Sequence, residues 1–171
     1  MVDNKSVKRE HHFGNAKELL RMRKEMVAAT SVTHHSPLEQ AKVVIAGGYG
    51  MGSRENFELL YRLAELLNGE VGATRAAVNA GFCDASLMIG ITGVTVHPEL
   101  YVAVGISGDS QHLSGVKGAK SLFSINCDAQ APINRIADGV IVGDARKVVL
   151  NLIDQLSNVN NPTERVYEQF L

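Results

Sequence analysis

The chain has 171 residues, enough for one ordinary domain with a substantial core. Its 45% apolar and 20% charged residues exclude a chain disordered as a whole, and a net charge of −1 excludes the concentrated basic face that nucleic acid requires. No apolar run nears the ~18 residues of a membrane span, and no signal-peptide apolar region opens the chain. Cys83 and Cys127 have neither CxxC spacing nor a metal pattern, so they are expected to be packing residues in a cytoplasmic protein.

In chain order, residues 1–38 read as a polar N-terminal arm. Leu19, Leu20, Arg23, Met26 and Val27 recur at helical spacing, which predicts one amphipathic helix over 16–28. Its stripe must pack on the main domain or on a partner chain, and with no second domain to cover it a homo-oligomer or a bound partner is expected. The basic residues near the start are interrupted by Glu10, Glu18 and Glu25, as on a solvated helix face. The pairs His11–His12 and His34–His35 lack companions at ligand spacing, so no metal is expected.

Residues 39–158 form the predicted main domain. Residues 42–46 (KVVIA) are apolar on both faces, like a buried parallel strand, and Gly47-Gly48-Tyr49-Gly50-Met51-Gly52 follows as a loop. Ser53 caps a helix whose buried face carries Phe57, Leu60, Ala64 and Leu67, ended by Gly69. Strands are predicted at 71–73, 87–91, 100–106, 121–125 and 139–142. A short helix is predicted at 110–115 and a helical turn at 133–137. A closing helix from Asp144 buries Val148, Leu152 and Leu156, and 159–171 reads as a tail. This alternation predicts an α/β fold with a parallel sheet covered on both faces.

In such sheets ligands bind beyond the carboxyl ends of the strands. Here those ends carry small, polar and glycine residues: Gly47 to Gly52, Thr92-Gly93, Ser107-Gly108, Asn126 and Asp128, and Gly143-Asp144. The first loop either turns the chain or cradles a phosphate. It lacks a Walker lysine, and no acidic residue closes the next strand as in the usual dinucleotide fingerprint. Ser107-Gly108-Asp109-Ser110-Gln111-His112 is more informative, since it follows an apolar strand and opens a helix. Arg75 stands in a small, apolar stretch, where its charge calls for an anion, either an internal carboxylate or a ligand.

The runs Ala73-Thr74-Arg75-Ala76-Ala77-Val78-Asn79-Ala80-Gly81-Phe82, Gly90-Ile91-Thr92-Gly93, Pro98 to Gly108 and Gln111-His112-Leu113-Ser114-Gly115 resemble the FAD-binding domain of the electron transfer flavoprotein alpha subunit. Ile125-Asn126-Cys127-Asp128 and Ala131-Pro132-Ile133 continue the likeness in the same order, so that it covers about residues 41–156. The resemblance implies a three-layer NAD/FAD-binding domain of the deoxyhypusine-synthase-like type. It implies an electron carrier rather than a classical enzyme, with a dehydrogenase as donor and a beta-subunit-like partner. FAD would be held by Tyr49, Thr74 and Arg75; by Ile89, Gly90, Ile91 and Thr92; by Ser107, Gly108, Asp109, Ser110, Gln111 and His112; and by Asn126 and Asp144. Arg75, Thr92 and His112 would serve the isoalloxazine, Ser107, Gly108 and Gln111 the pyrophosphate and ribityl region, and Asn126 and Asp144 the adenosine.

The chain departs from the family's usual residues at four positions: Tyr49 for Arg, Ile91 for Gln, Cys127 for Lys and Thr74 for Ser. The family's alpha subunits carry a separate domain ahead of this module, whereas about 40 residues precede it here, too few for an independent core. The alternative expectation is a module that binds FAD or NAD without electron transfer, for sensing or as a structural part of a complex.

Overall fold

Five short segments alternate apolar side chains between two cores, the pattern of strands covered on both sides. In the computed structural model, which describes residues 17–19, 21–22 and 38–160, they are β1 (Val43–Gly47), β2 (Glu70–Ala73), β3 (Leu100–Val104), β4 (Ser121–Asn126) and β5 (Gly139–Val142). All pair in parallel, in the order β2-β1-β3-β4-β5, with Ile45 opposite both Val71 and Val102 and Val102 opposite Phe123.

On one face, Val43, Ile45, Val102 and Ile125 meet α1 (Arg54–Leu66) and α4 (Ala145–Asn160). Ser53 caps α1 as expected, its Oγ accepting from the Asn56 amide at 3.1 Å, and Phe57, Leu60, Ala64 and Leu67 are all buried. After α1 the left-handed residue is Asn68 (φ 51°), one position before Gly69, whose added Cβ would press on Val43. In α4 Leu152 and Leu156 are buried as predicted, while Val149 and Ile153 are buried and Val148 only partly so. The helix runs to Asn160.

On the other face, Val44, Ala46, Tyr101 and Ala103 are covered by shorter pieces. These are the 3₁₀ turns Leu38–Gln40 and Pro132–Arg135, the segment around Ile89 and Val96, and the one-turn helix α3 (Ser110–Leu113). A five-residue helix, α2 (Arg75–Asn79), follows β2 and is capped by Thr74.

One expectation is corrected. Residues 87–91 form no strand: a 3₁₀ turn at Ala85–Leu87 leads into two isolated bridges, Ala73 with Met88 and Ile89 with Val94. The chain reverses between Gly90 (φ 148°) and Gly93, closed by Gly93 N–H to the Gly90 carbonyl (3.1 Å) and Val94 N–H to that of Met88 (2.7 Å). An apolar run this short, folded on itself, has no ladder to join. Of the two expected covers for the N-terminal stripe, its own domain takes the described part: Leu19 is 2% exposed and packs with Met22 into the α1/α4 core. Leu20, Met26, Val27, the His pairs and residues 161–171 lie outside the described residues. Among the described residues no helix is long and apolar enough to cross a membrane, and no cluster of three metal-ligating side chains occurs.

Candidate functional site at the strand carboxyl edge

The strand order puts the topological switch between β1 and β3, whose following chains leave in opposite directions; this is where open α/β sheets bind ligands. A cavity of about 710 Å³ opens there, within the ~300–1,000 Å³ usual for small-molecule sites. It runs from Asn79 on α2, across the ends of β1 and β3, to Asp128 and Pro132 beyond β4.

The glycines of the first loop serve packing. Gly48 N–H donates to the Val104 carbonyl (2.9 Å) and Gly50 N–H to that of Gly105 (3.0 Å). Met51 and Gly52 close the 3₁₀ turn Tyr49–Met51. A Cβ on Gly48 would collide with the Gly105 carbonyl, and Gly105 itself is left-handed (φ 64°). These amides are therefore committed to the protein, and the loop gives the cavity the surface of Gly48 and Gly50 and the side chain of Tyr49. That ring is 67% exposed and stacks on Phe82, with centroids 6.0 Å apart and planes at 17°.

Thr74 spends its hydroxyl on the Ala77 amide (3.2 Å), which starts α2 and presents Arg75 at the cavity wall. Arg75 is exposed, and its Nη2 donates to Thr92 Oγ1. Among the described residues no carboxylate pairs with it. The internal anion considered from the sequence is thus not what meets this charge. Gly90, Ile91 and Thr92 form the facing wall, tied to α3 by Ile91 N–H donating to the Gln111 carbonyl (2.9 Å).

After β3, Gly108 (φ 95°) passes so close to Ile133 that no side chain fits, and Ile133 N–H donates to the Ser107 carbonyl (2.9 Å). The Asp109 carboxylate caps α3 through the Gln111 amide (2.8 Å). The amides of Ser107, Gly108 and Asp109 donate to no acceptor among the described residues. Helix α3 is too short to add much dipole, so these open amides are the anion-seeking feature of the loop.

His112 is 5% exposed and touches the cavity with both nitrogens engaged: Nε2 lies 2.7 Å from Tyr101 Oη, and Nδ1 lies 3.0 Å from the Ile89 carbonyl. Burial holds its pKa below the ordinary value against the pull of the Ile89 carbonyl and Asp109, so the ring is neutral at pH 7. Asn126, also buried, donates from Nδ2 to the Ile106 carbonyl (2.8 Å) and accepts the Asp128 amide at Oδ1 (3.0 Å), bracing the end of β4 against that of β3.

The cavity thus gathers Tyr49, Thr74, Arg75, Ile89 to Thr92, Ser107, Asp109, Gln111, His112 and Asn126. Gly108, Ser110 and Asp144 do not line it; Asp144 lies on the same edge and caps α4 through the Lys147 amide (2.9 Å). Sequence reasoning placed Gly48, Gly50 and Asp128 on this edge without assigning them to the cofactor, and passed over Asn79, Met88, Ile106, Ala131, Pro132 and Gly105 as site residues. Asn79 carried a signal, standing four residues after Arg75 on the same helix face. Met88 and Ile106 carried none.

Residues 37–117 match the family model described as the electron transfer flavoprotein FAD-binding domain. The electron transfer flavoprotein subunit alpha of Clostridium acetobutylicum is 51% identical over 122 residues, covering 71% of this chain and 36% of that protein. The mitochondrial subunit alpha of Arabidopsis thaliana is 48% identical over 128 residues, covering 75% and 35%. That of Bacillus subtilis is 47% identical over 123 residues, covering 72% and 38%. The chain therefore spans little more than a third of the length of the relatives it matches.

Proposed function

We propose, from the match of residues 37–117 to the FAD-binding domain of electron transfer flavoproteins, that this chain holds FAD along the carboxyl edge and serves electron transfer between a dehydrogenase and an acceptor. The observation that carries the reading is Arg75, an exposed cation on the cavity wall with no carboxylate partner among the described residues. The cavity's extent across three strand ends suits a dinucleotide, and the open amides of Ser107 and Asp109, both on its wall, suit its pyrophosphate.

FAD supplies the electron chemistry that no side chain here provides. In this reading Arg75 favours the negative charge that arrives on reduction, and Thr92 offers its hydroxyl at the reactive end. Tyr49 and Ile91 flank that end with apolar surface. Asn126 shapes the adenosine end, and Asp144 lies beyond it. His112, with both nitrogens committed, sets the shape of the wall rather than donating to the cofactor. A beta-subunit-like chain would complete the carrier, since the matched relatives are themselves subunits of greater length. A cytoplasmic location goes with the free thiols of Cys83 and Cys127.

Titration of the purified protein with FAD, FMN and NAD, followed by flavin absorbance and fluorescence quenching, tests the proposal. FAD should bind at least about tenfold, or ~1.4 kcal/mol, more tightly than FMN. Equal affinities would overturn the dinucleotide placement, and failure to bind any flavin would overturn the whole reading.

A further inference from the structure

Tyr101 lies within β3 with its side chain fully buried on the face away from α1 and α4. Phenylalanine would fill the same space without burying a hydroxyl, which costs about 1–3 kcal/mol when unpaired. The partner of that hydroxyl is Nε2 of His112 (2.7 Å), and the other ring nitrogen, Nδ1, faces the Ile89 carbonyl (3.0 Å).

These two contacts determine where the hydrogens are. A carbonyl oxygen only accepts, so Nδ1 carries the imidazole hydrogen and donates it to Ile89. In the neutral ring Nε2 is then a lone pair, and Tyr101 O–H donates to it. Burial pushes the Tyr101 hydroxyl well above its ordinary pKa and the imidazole below its own, so neither group gives up this arrangement near neutral pH. The bonds run one way, from Tyr101 through His112 to the Ile89 carbonyl. Ile89 immediately precedes Gly90, Ile91 and Thr92, the cavity wall that faces Arg75. Gly90 has a positive φ; the other ties of the stretch are Ile89 N–H to the Ala73 carbonyl (2.9 Å), Gly90 N–H to that of Val94 (3.2 Å), Ile91 N–H to that of Gln111 (2.9 Å), Gly93 N–H to that of Gly90 (3.1 Å) and Arg75 to Thr92 Oγ1.

We infer that Tyr101 is a positioning residue: its buried hydroxyl pairs Nε2 of the His112 ring that donates from Nδ1 to Ile89, and by holding that ring in place it clamps the Gly90–Thr92 wall of the cavity. The clamp is a property of the protein alone, while its effect on cofactor binding rests on the FAD reading above.

Two arms test it on the full chain. Imidazole nitrogen shifts of His112, read by NMR without FAD, should show hydrogen on Nδ1 and a titration midpoint below that of a free imidazole. In Tyr101→Phe, shown to be folded by its thermal melt, hydrogen should stay on Nδ1 opposite the Ile89 carbonyl while the Nε2 shift moves to that of an unbonded lone pair; an unmoved Nε2 shift overturns the clamp. An Nε2–H ring in the wild type, or one titrating near its ordinary value, overturns the clamp. In the second arm, Tyr101→Phe should weaken FAD binding about tenfold, yet change it less than about twofold in a His112→Asn background, where no imidazole remains to be held. Equal losses in the two backgrounds would mean a plain packing effect and overturn the inference. A wild-type protein that takes no FAD would sink the functional reading, while the NMR arm would still decide the clamp.

Discussion

The rim and the floor of the cavity are built on opposite rules. At the rim, Tyr49, Arg75, Ile91 and Thr92 are exposed, and their polar groups have one mutual bond, Arg75 to Thr92. At the floor, Tyr101, His112 and Asn126 are buried with each side-chain polar atom paired, and the Gly48, Gly50 and Gly105 backbones close on one another. Buried polar groups must be satisfied within the protein, so they define the shape; exposed ones remain for the ligand. Two of the departures from the family's usual residues, Tyr49 and Ile91, fall on the rim. Under the proposed function they would act on affinity and potential rather than on the scaffold.

The comparison breaks first, if it is wrong, at the floor's glycine contact. Gly48→Ala drives a Cβ into the Gly105 carbonyl and should cost about 3 kcal/mol or more in urea unfolding. A loss under about 1 kcal/mol would show that the two loops are free to separate. Next, Asn126→Ala strands the Ile106 carbonyl and the Asp128 amide and should cost about 2–3 kcal/mol with an unchanged denaturant slope.

The floor also has a pH signature. His112 is neutral in the native protein where the unfolded ring, with its ordinary value of 6.5, takes up a proton. The unfolded state then binds more protons, so stability should fall as pH drops below 6.5, by at most about 1.4 kcal/mol per unit. Unfolding at pH 7.5 and 5.5 should show this loss in the wild type and a smaller one in His112→Asn.

Rim substitutions should leave stability alone and move the cofactor instead. Arg75→Ala should change folding by less than about 0.5 kcal/mol. It should lower the flavin potential by some tens of millivolts, since a contribution of about 1 kcal/mol compares with ~59 mV per tenfold for one electron. Potentiometry decides: an unchanged potential with lost binding would mean that Arg75 grips phosphate. The smallest effect belongs to Tyr49→Arg, which restores the family's usual cation. It should be neutral to stability and tighten FAD by about threefold, roughly 0.6 kcal/mol, in the same titration. A strongly destabilised variant would place Tyr49 with the floor.

Much of this was legible in the sequence because it depends on neighbours along the chain. Strand β3 is apolar at successive positions and reads as buried on both faces; Ser53 stands one residue before its helix; glycine and polar residues gather after each strand. From these alone follow a parallel α/β sheet and a site at its carboxyl edge. Contacts between distant segments decided the rest. The run 87–91 has the composition of a strand, but finds no ladder once Gly90 and Gly93 fold it back. The first loop has the glycines of a phosphate cradle, yet Val104 and Gly105 of the neighbouring strand end take its amides. Arg75 meets Thr92 seventeen residues on, and His112 is held between Tyr101 and Ile89, eleven and twenty-three residues away. Local pattern records which residues are buried, because burial follows the period of the element. Which buried or exposed groups face each other is decided by strand order and crossover, and exists only when the chain has folded.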